Sequence, residues 1–413
     1  MPTFVFDLDM TLVDSSALDE WRKSKMWPCV RKNLGCVKPF SVEPHAPHKL
    51  PEQIKAQGHD VAIVTSSPRW YAEALVNLFK IETGVLVAWD DTEHHKPDRE
   101  PIMKALEKLG VDPNNTNGVY HVGDAKIDVE ASYHAGVVSI GAGWGVSDFG
   151  ALSDTAPDVL LLDPGLLLCS DGLEQRGYFA EMLCNGINPK IHRGTILPCG
   201  KSPFRRYALG RYFKTEDPRH ADGALTAKIL DMKDNDRHAQ LFARALAAFV
   251  HKFQWTPDYI VPVPSKPSQS RNYFEAVLKA AGPLLQDNTK VALNGLKRVH
   301  EVKDYRSMGA VKRADAIRGA FESSCDWNGA KILLLDDVLT TSATVAECAQ
   351  VLLANKASEV RIVTFGKDQQ SFIRKECPVC ARPMRVRTKK KTDEKFWGCS
   401  GYRDHDYQYT ESM

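Results

Sequence analysis

The 413-residue sequence has no long apolar run. No stretch reaches the ~18 residues that a membrane-spanning helix needs, and no signal-peptide pattern opens the chain. Charge of one sign is also missing: 54 basic residues against 52 acidic ones leave a formal charge of +2. No global field therefore draws the protein to nucleic acid or membrane, and any basic patch is local. Disulfide-framework spacing is absent as well. Of ten cysteines, seven (Cys29, Cys36, Cys169, Cys184, Cys199, Cys325 and Cys348) are scattered, which fits a reducing compartment and a cytoplasmic protein. The sequence holds no internal repeat and no long low-complexity tract. What remains is an ordinary globular composition, 43% hydrophobic and 26% charged, long enough for two or three domains with separate cores.

Chemistry-bearing residues begin at once. Phe4-Val5-Phe6 reads as a buried strand, and past its carboxyl end stand Asp7 and Asp9. Their side chains leave the same side of an extended chain. Two like charges so close are costly unless a cation or a reaction employs them; a solvated turn or a helix cap is the plainer use of such a pair. Residues 15–57 read as a short irregular insert with Trp21, Trp27 and several prolines. Val61–Val64 is the next buried run, ending on Thr65-Ser66-Ser67-Pro68, hydroxyls placed where a helix amino end presents N–H groups to an anion. A helix is expected over 69–79, a strand over 85–88, and then His94-His95-Lys96-Pro97-Asp98 ahead of an amphipathic helix over 101–109. A fourth strand, 119–122, runs into Gly123-Asp124-Ala125-Lys126-Ile127-Asp128; a helix over 129–135 and a fifth strand over 137–140 complete the pattern. Strands alternating with helices predict a parallel, doubly wound sheet with its site at the carboxyl ends of the strands.

These four clusters, in this order, resemble the motifs of the haloacid dehalogenase (HAD) superfamily of aspartate-nucleophile phosphatases, within residues 1–168. The resemblance implies that Asp7 is the nucleophile and that Asp9 is the general acid and then the base for water. It gives Thr65 and Lys96 to the phosphoryl group, and Mg²⁺ to Asp7, the Asp9 main-chain carbonyl, Asp124 and Asp128. Met10 stands where glycine is common and is read as harmless. The short insert implies an open site, suited to a bulky or macromolecular phosphate or covered by a second subunit. His94, His95 and His121 are read as structural.

Residues 169–189 read as a linker, and 190–370 as a second domain. Within it an amphipathic helix is expected over 238–249. Tyr259-Ile260-Val261 is a strand leading into Pro262-Val263-Pro264-Ser265-Lys266-Pro267, and Lys331–Leu335 is an apolar strand that breaks into Asp336-Asp337-Val338-Leu339-Thr340-Thr341-Ser342-Ala343-Thr344 before a helix over 345–353. Paired carboxylates at a strand end suit a ribose diol, and small hydroxyl residues leading into a helix suit a phosphate; a tight turn is the other reading of the same run. With Arg271, Phe274, Arg313 and Arg318-Gly319-Ala320-Phe321, the run resembles the phosphoribosyl-pyrophosphate (PRPP) motif of type I phosphoribosyltransferases, nearest the ComF-type branch. The resemblance gives the ribose hydroxyls to Asp336 and Asp337, the 5′-phosphate to Thr340, Thr341, Ser342 and Thr344, and the pyrophosphate to Ser265 and Lys266. It makes 301–308 a mobile loop with Lys303 or Arg306 reaching the diphosphate. Ser342 replaces the usual glycine.

In the tail, 374–413, Cys377 and Cys380 are followed by Cys399 and His405. Four soft ligands in two clusters fit tetrahedral Zn²⁺. The tail resembles the zinc ribbons of bacterial type I topoisomerases, with His405 at the position usually held by cysteine. Arg385, Arg387, Lys389, Lys390 and Lys391 with Phe396 and Trp397 suit single-stranded DNA or RNA; packing against the preceding domain is the alternative.

The expected fold class is therefore α/β: two doubly wound, mainly parallel-sheet domains (HAD-like Rossmannoid and type I phosphoribosyltransferase) plus a small zinc ribbon. The expected function is a bifunctional phosphatase and phosphoribosyltransferase-like protein of nucleotide or modified-base metabolism, with Mg²⁺ and Zn²⁺ as cofactors. The competing expectation is a nucleic-acid-directed repair, competence or anti-phage factor with end-phosphatase activity. Partners are a small phosphate ester and PRPP or a nucleotide, with DNA or RNA at the ribbon, no membrane, and a homo-oligomer left open.

Overall fold

The structure is a computed structural model that describes all residues except 43, 192, 201–202, 254, 266–270, 286–287, 301–314, 373–374, 390–391, 393, 401–409 and 413. Its contacts divide the chain into two compact units: Met1–Gly177 with Arg193–Thr195, and Tyr178–His192 with Ile196–Met413. Among the described residues no helix is long and apolar enough to cross a membrane.

The first unit contains β1 (Thr3–Phe6), α1 (Asp19–Lys23), α2 (Trp27–Lys32), α3 (Leu50–Ala56), β2 (Asp60–Val64), α4 (Arg69–Phe79), β3 (Val85–Val87), α5 (Glu100–Leu109), β4 (Val119–Gly123), α6 (Lys126–Ala135), β5 (Val138–Ala142), α7 (Phe149–Asp154) and β6 (Val159–Leu161). The strands form one sheet in the order β3-β2-β1-β4-β5-β6, parallel throughout. β1 lies between β2 and β4, so both of its edges are paired, and with a core on each face all four of its residues are buried. Alternation along the strands feeds two cores. Phe4, Phe6, Val61, Ile63 and Val122 enter one of them, and Val5, Ala62, Val64 and Val87 the other. α5 and α6 stop on left-handed glycines, Gly110 and Gly136, where a side chain would be strained. The insert is more ordered than its prolines suggest: short helices α1, α2 and α3 occupy it, with Pro28 and Pro51 in first turns, where the missing N–H costs nothing.

The second unit contains α8 (Phe179–Cys184), β7 (Leu197–Pro198), β8 (Arg206–Ala208), β9 (Arg211–Tyr212), α9 (Ala224–Met232), α10 (Ala239–Lys252), β10 (Tyr259–Pro262), α11 (Phe274–Ala281), β11 (Lys290–Val291), β12 (Lys297–Arg298), β13 (Phe321–Glu322), β14 (Lys331–Leu339), α12 (Ala343–Ala354) and β15 (Glu359–Asp368). Its main sheet runs β11-β10-β14-β15-β8-β7, with β9 also on β15. Every pairing is parallel except β7 with β8. One expectation is corrected here. β14 does not break after Leu335; Asp336 pairs with Thr364, and Val338 and Leu339 pair with Gly366 and Lys367 of β15. The acidic pair is therefore part of a strand, held because β15 is ten residues long and continues beside it. A small antiparallel sheet of β16 (Met384–Thr388), β17 (Lys395–Cys399) and β18 (Thr410–Ser412) completes this unit.

Candidate active site

β1 lies where the strand order reverses direction, and the crevice of a parallel sheet opens at that point, outside the strands' carboxyl ends. Four chain segments converge there. β1 delivers Asp7, β2 delivers Thr65, and β4 leads through Gly123 to Asp124. Lys96 comes from the loop between β3 and α5, and Asp128 from the first turn of α6. Lys96 is buried and donates to Asp7 Oδ1 and Asp128 Oδ1, both at 2.6 Å, and to the Val64 carbonyl at 3.1 Å. All three ammonium N–H groups are thereby used. Gly123 makes the approach of Asp128 feasible, because a Cβ there would lie 2.4 Å from Asp128 Cγ. His121 is buried beside them, its Nδ1 2.8 Å from Ser132 Oγ. Burial and then the charge on Lys96 lower it to about 4, so it is neutral and serves to seat α6. His94 is exposed and pairs with Glu100 at 2.9 Å; His95 stacks on Trp89.

The carboxylates repel one another. Burial pushes Asp7 up to about 7 against the pull of Lys96, and Asp128 and Asp9 add to the rise. Burial followed by Asp128 and Asp7 raises Asp124 to about 9. One cation on Lys96 thus leaves the cluster short of positive charge. Oxygen atoms of Asp7, Asp124 and Asp128 lie within 4.8 Å of one another, a hard-donor set that fits a divalent magnesium ion.

Asp9 is kept apart from that group. Its Oδ1 accepts from Tyr71 Oη at 2.7 Å, and its Oδ2 accepts from Ser67 Oγ at 2.8 Å and pairs with Arg22 at 2.7 Å. Sequence reading missed Arg22 and Tyr71, which lie 13 and 62 residues beyond Asp9; nothing in their local pattern marks them. Met10 is not without consequence. It adopts the left-handed conformation at φ 58°, which suits the glycine it replaces and strains a side chain by about 1 kcal/mol or more. Gly145 packs so closely on this loop that a Cβ would sit 1.5 Å from the Met10 carbonyl oxygen. The carboxylates line the floor of a cavity of about 700 Å³.

The model of the haloacid dehalogenase-like hydrolase family matches residues 42–142. Those residues are a haloacid dehalogenase-like hydrolase domain. The matched span holds Thr65, Lys96, Asp124 and Asp128; Asp7 and Asp9 precede it and are brought in by β1. The chain is 36% identical over 118 residues to the PpaX protein of Caldanaerobacter subterraneus subsp. tengcongensis, covering 28% of this chain and 52% of that one. It is 26% identical over 199 residues to the pyrophosphatase PpaX of Bacillus mycoides, covering 38% and 91% respectively. The chain thus spans about half the length of the first of these relatives. A solved hydrolase from Pseudomonas syringae aligns at 22% identity over 42% of this chain and 99% of that one, with a TM-score of 0.34.

The second unit gathers another set of polar groups at the end of β14. Asp337 is buried, and its Oδ2 pairs with Lys233 at 2.5 Å. Burial and then Asp337 raise Asp336 well above the usual carboxylate range. Burial also pushes up the Tyr273 hydroxyl, with Asp337 and Asp336 adding to the rise. Ser342 caps α12 in the left-handed conformation, φ 66°, and Arg206 of β8 donates to its Oγ. Thr340 and Thr341 are exposed, and Thr344 lies in the first turn of α12. Ser265 Oγ is buried without a hydrogen-bond partner among the described residues. Lys233, Tyr273 and Arg206 carried no signal in the sequence, since each reaches the strand end from a different element. Lys266, Lys303, Arg306 and Arg313 lie outside the described residues.

In the tail the sulfurs of Cys377, Cys380 and Cys399 lie within 4.8 Å of one another, a donor set suited to a soft metal. Against the push of burial, the N–H groups of Val379 and Cys380 bring the Cys377 thiol down. His405, Lys390 and Lys391 lie outside the described residues. Arg385 pairs with Glu216 at 3.1 Å, and Val386 N donates to the Thr215 carbonyl at 2.6 Å. Part of the basic strip is thus spent holding the tail to its own unit.

Proposed function

We propose that the first unit is a magnesium-dependent phosphatase that works through an aspartyl-phosphate. The observation that carries this is the division of the acids: Lys96 spans Asp7 and Asp128 beside Asp124, while Tyr71, Ser67 and Arg22 hold Asp9 separately. Two carboxylates in unlike surroundings are suited to two roles. Asp7 attacks phosphorus, and the P–O bond to the leaving group breaks as Asp9 supplies that oxygen with a proton. Asp9 then takes a proton from water, which attacks the aspartyl-phosphate; the P–O bond to Asp7 breaks and phosphate leaves. The Thr65 hydroxyl and the Lys96 ammonium steady the phosphoryl oxygens through both steps. A magnesium ion held by Asp7, Asp124, Asp128 and the Asp9 carbonyl would add charge stabilisation at those oxygens.

The second unit, on this reading, binds PRPP or a nucleotide. Supporting this are the acid pair at the end of β14, the hydroxyl run into α12, and donors left over for an anion: Arg206 Nε and Ser265 Oγ are buried and have no partner among the described residues. The three cysteines of the tail would hold Zn²⁺. The pair of units then acts in nucleotide or modified-base metabolism. A phosphate-release screen over nucleotides, sugar phosphates, pyrophosphate and end-phosphorylated oligonucleotides, run beside Asp7→Asn, tests the first unit. Release by the wild type and none by Asp7→Asn is expected. No release from any of them, or equal release by the variant, contradicts the reading.

A further inference from the structure

The cavity over the acid cluster holds far more than a phosphate group, since about 700 Å³ lies within the range that accommodates a whole small ligand. Its floor is acidic, and its rim mixes apolar side chains with charges of both signs, Asp19 (paired to Lys23) and Asp90 among them. Met10, Trp27, Trp89 and Ile127 line it together with Lys23 and Lys25. Trp89 is 45% exposed and Ile127 39%; two large apolar side chains at the mouth of a polar site suit a partner with an apolar surface. Trp89 is also fixed in place. Its ring lies on that of His95, with centroids 3.3 Å apart and planes 24° apart. Its main-chain N–H donates to the Ser67 carbonyl at 3.0 Å, and the Ser67 hydroxyl in turn holds Asp9. The indole is therefore a braced platform one loop away from Lys96.

Resting on the phosphatase reading above, we propose that Trp89 is a specificity-determining residue. It stacks the base of a nucleoside monophosphate whose phosphate sits over Asp7, with Ile127 and Trp27 closing the apolar side and Lys23 and Lys25 at the rim. A flat ring with a phosphate one sugar away matches an aromatic ledge beside an acid floor. A bare sugar phosphate or a pyrophosphate ion leaves the ledge unused.

The test compares kcat/KM for AMP, CMP, ribose 5-phosphate, acetyl phosphate and pyrophosphate in the wild type, Trp89→Ala and Trp89→Phe. Stacking of one base on an aromatic ring is worth about 5- to 150-fold. The wild type is expected to prefer the nucleoside monophosphates over ribose 5-phosphate by about that factor. Trp89→Ala should erase the preference through KM, and Trp89→Phe should restore most of it. Fluorescence titration of AMP into Asp7→Asn, with and without Trp89→Ala, should show the same loss in binding without turnover. Three results would overturn the inference: no preference in the wild type, an equal fall for all substrates in Trp89→Ala, or undiminished AMP binding after the change. Release of phosphate from none of the five, acetyl phosphate included, would overturn the phosphatase reading itself.

Discussion

Single residues set the site in unit 1, and the tightest of them is a glycine. Gly123 lets Asp128 lie against the β4 backbone, where a methyl group would overlap its carboxyl carbon. Gly123→Ala is expected to push Asp128 out and weaken magnesium by about 10- to 100-fold, the usual cost of disturbing a ligand's support; a magnesium titration of phosphate release measures it. Tyr71 is the other such residue. Its hydroxyl donates to Asp9, and a hydrogen bond to a charged group is worth about 1.5–3 kcal/mol. Tyr71→Phe keeps the buried ring and should lower kcat by about 10- to 100-fold. An unchanged kcat would show that Ser67 and Arg22 position Asp9 unaided.

At the scale of elements, most strands of both sheets were legible because a strand covered on both faces must be apolar along its whole length. Phe4-Val5-Phe6, Val61–Val64 and the KILLL run show this plainly. The polar residues just past those runs marked the carboxyl ends, so Asp7, Thr65, Asp124 and Asp128 were visible as a set. Three things were hidden. The helices of the insert are five to seven residues long, too short for periodicity to emerge. Asp336 and Asp337 read as a loop because carboxylates are disfavoured in strands, and only the length of β15 beside them keeps β14 going. The partners of Asp9, Asp337 and Ser342 arrive from distant segments, and pairing of that kind has no local pattern. PRPP at a hundred times its dissociation constant should stabilise the second unit by about 2.7 kcal/mol, and Asp336→Asn with Asp337→Asn should abolish the shift. Equal protection of wild type and double variant would remove these two residues from the site.

Over the whole molecule, each unit has its own buried core, which predicts more than one unfolding transition. Magnesium with a phosphate analogue should move one of them and PRPP another, each leaving the other in place; calorimetry reads this directly. On the proposal that Cys377, Cys380 and Cys399 hold a metal, a chelator should loosen the small sheet of β16 and β17 without slowing phosphate release by the first unit. The expectations for the first unit lean on the identity of one nucleophile. The most direct measurement is to quench the enzyme in acid during turnover, reduce it with borohydride and read the amino-terminal peptide by mass spectrometry. The account predicts homoserine at position 7, formed from an Asp7 acyl-phosphate; an unmodified Asp7, or a reduced acid at any other position, would contradict it.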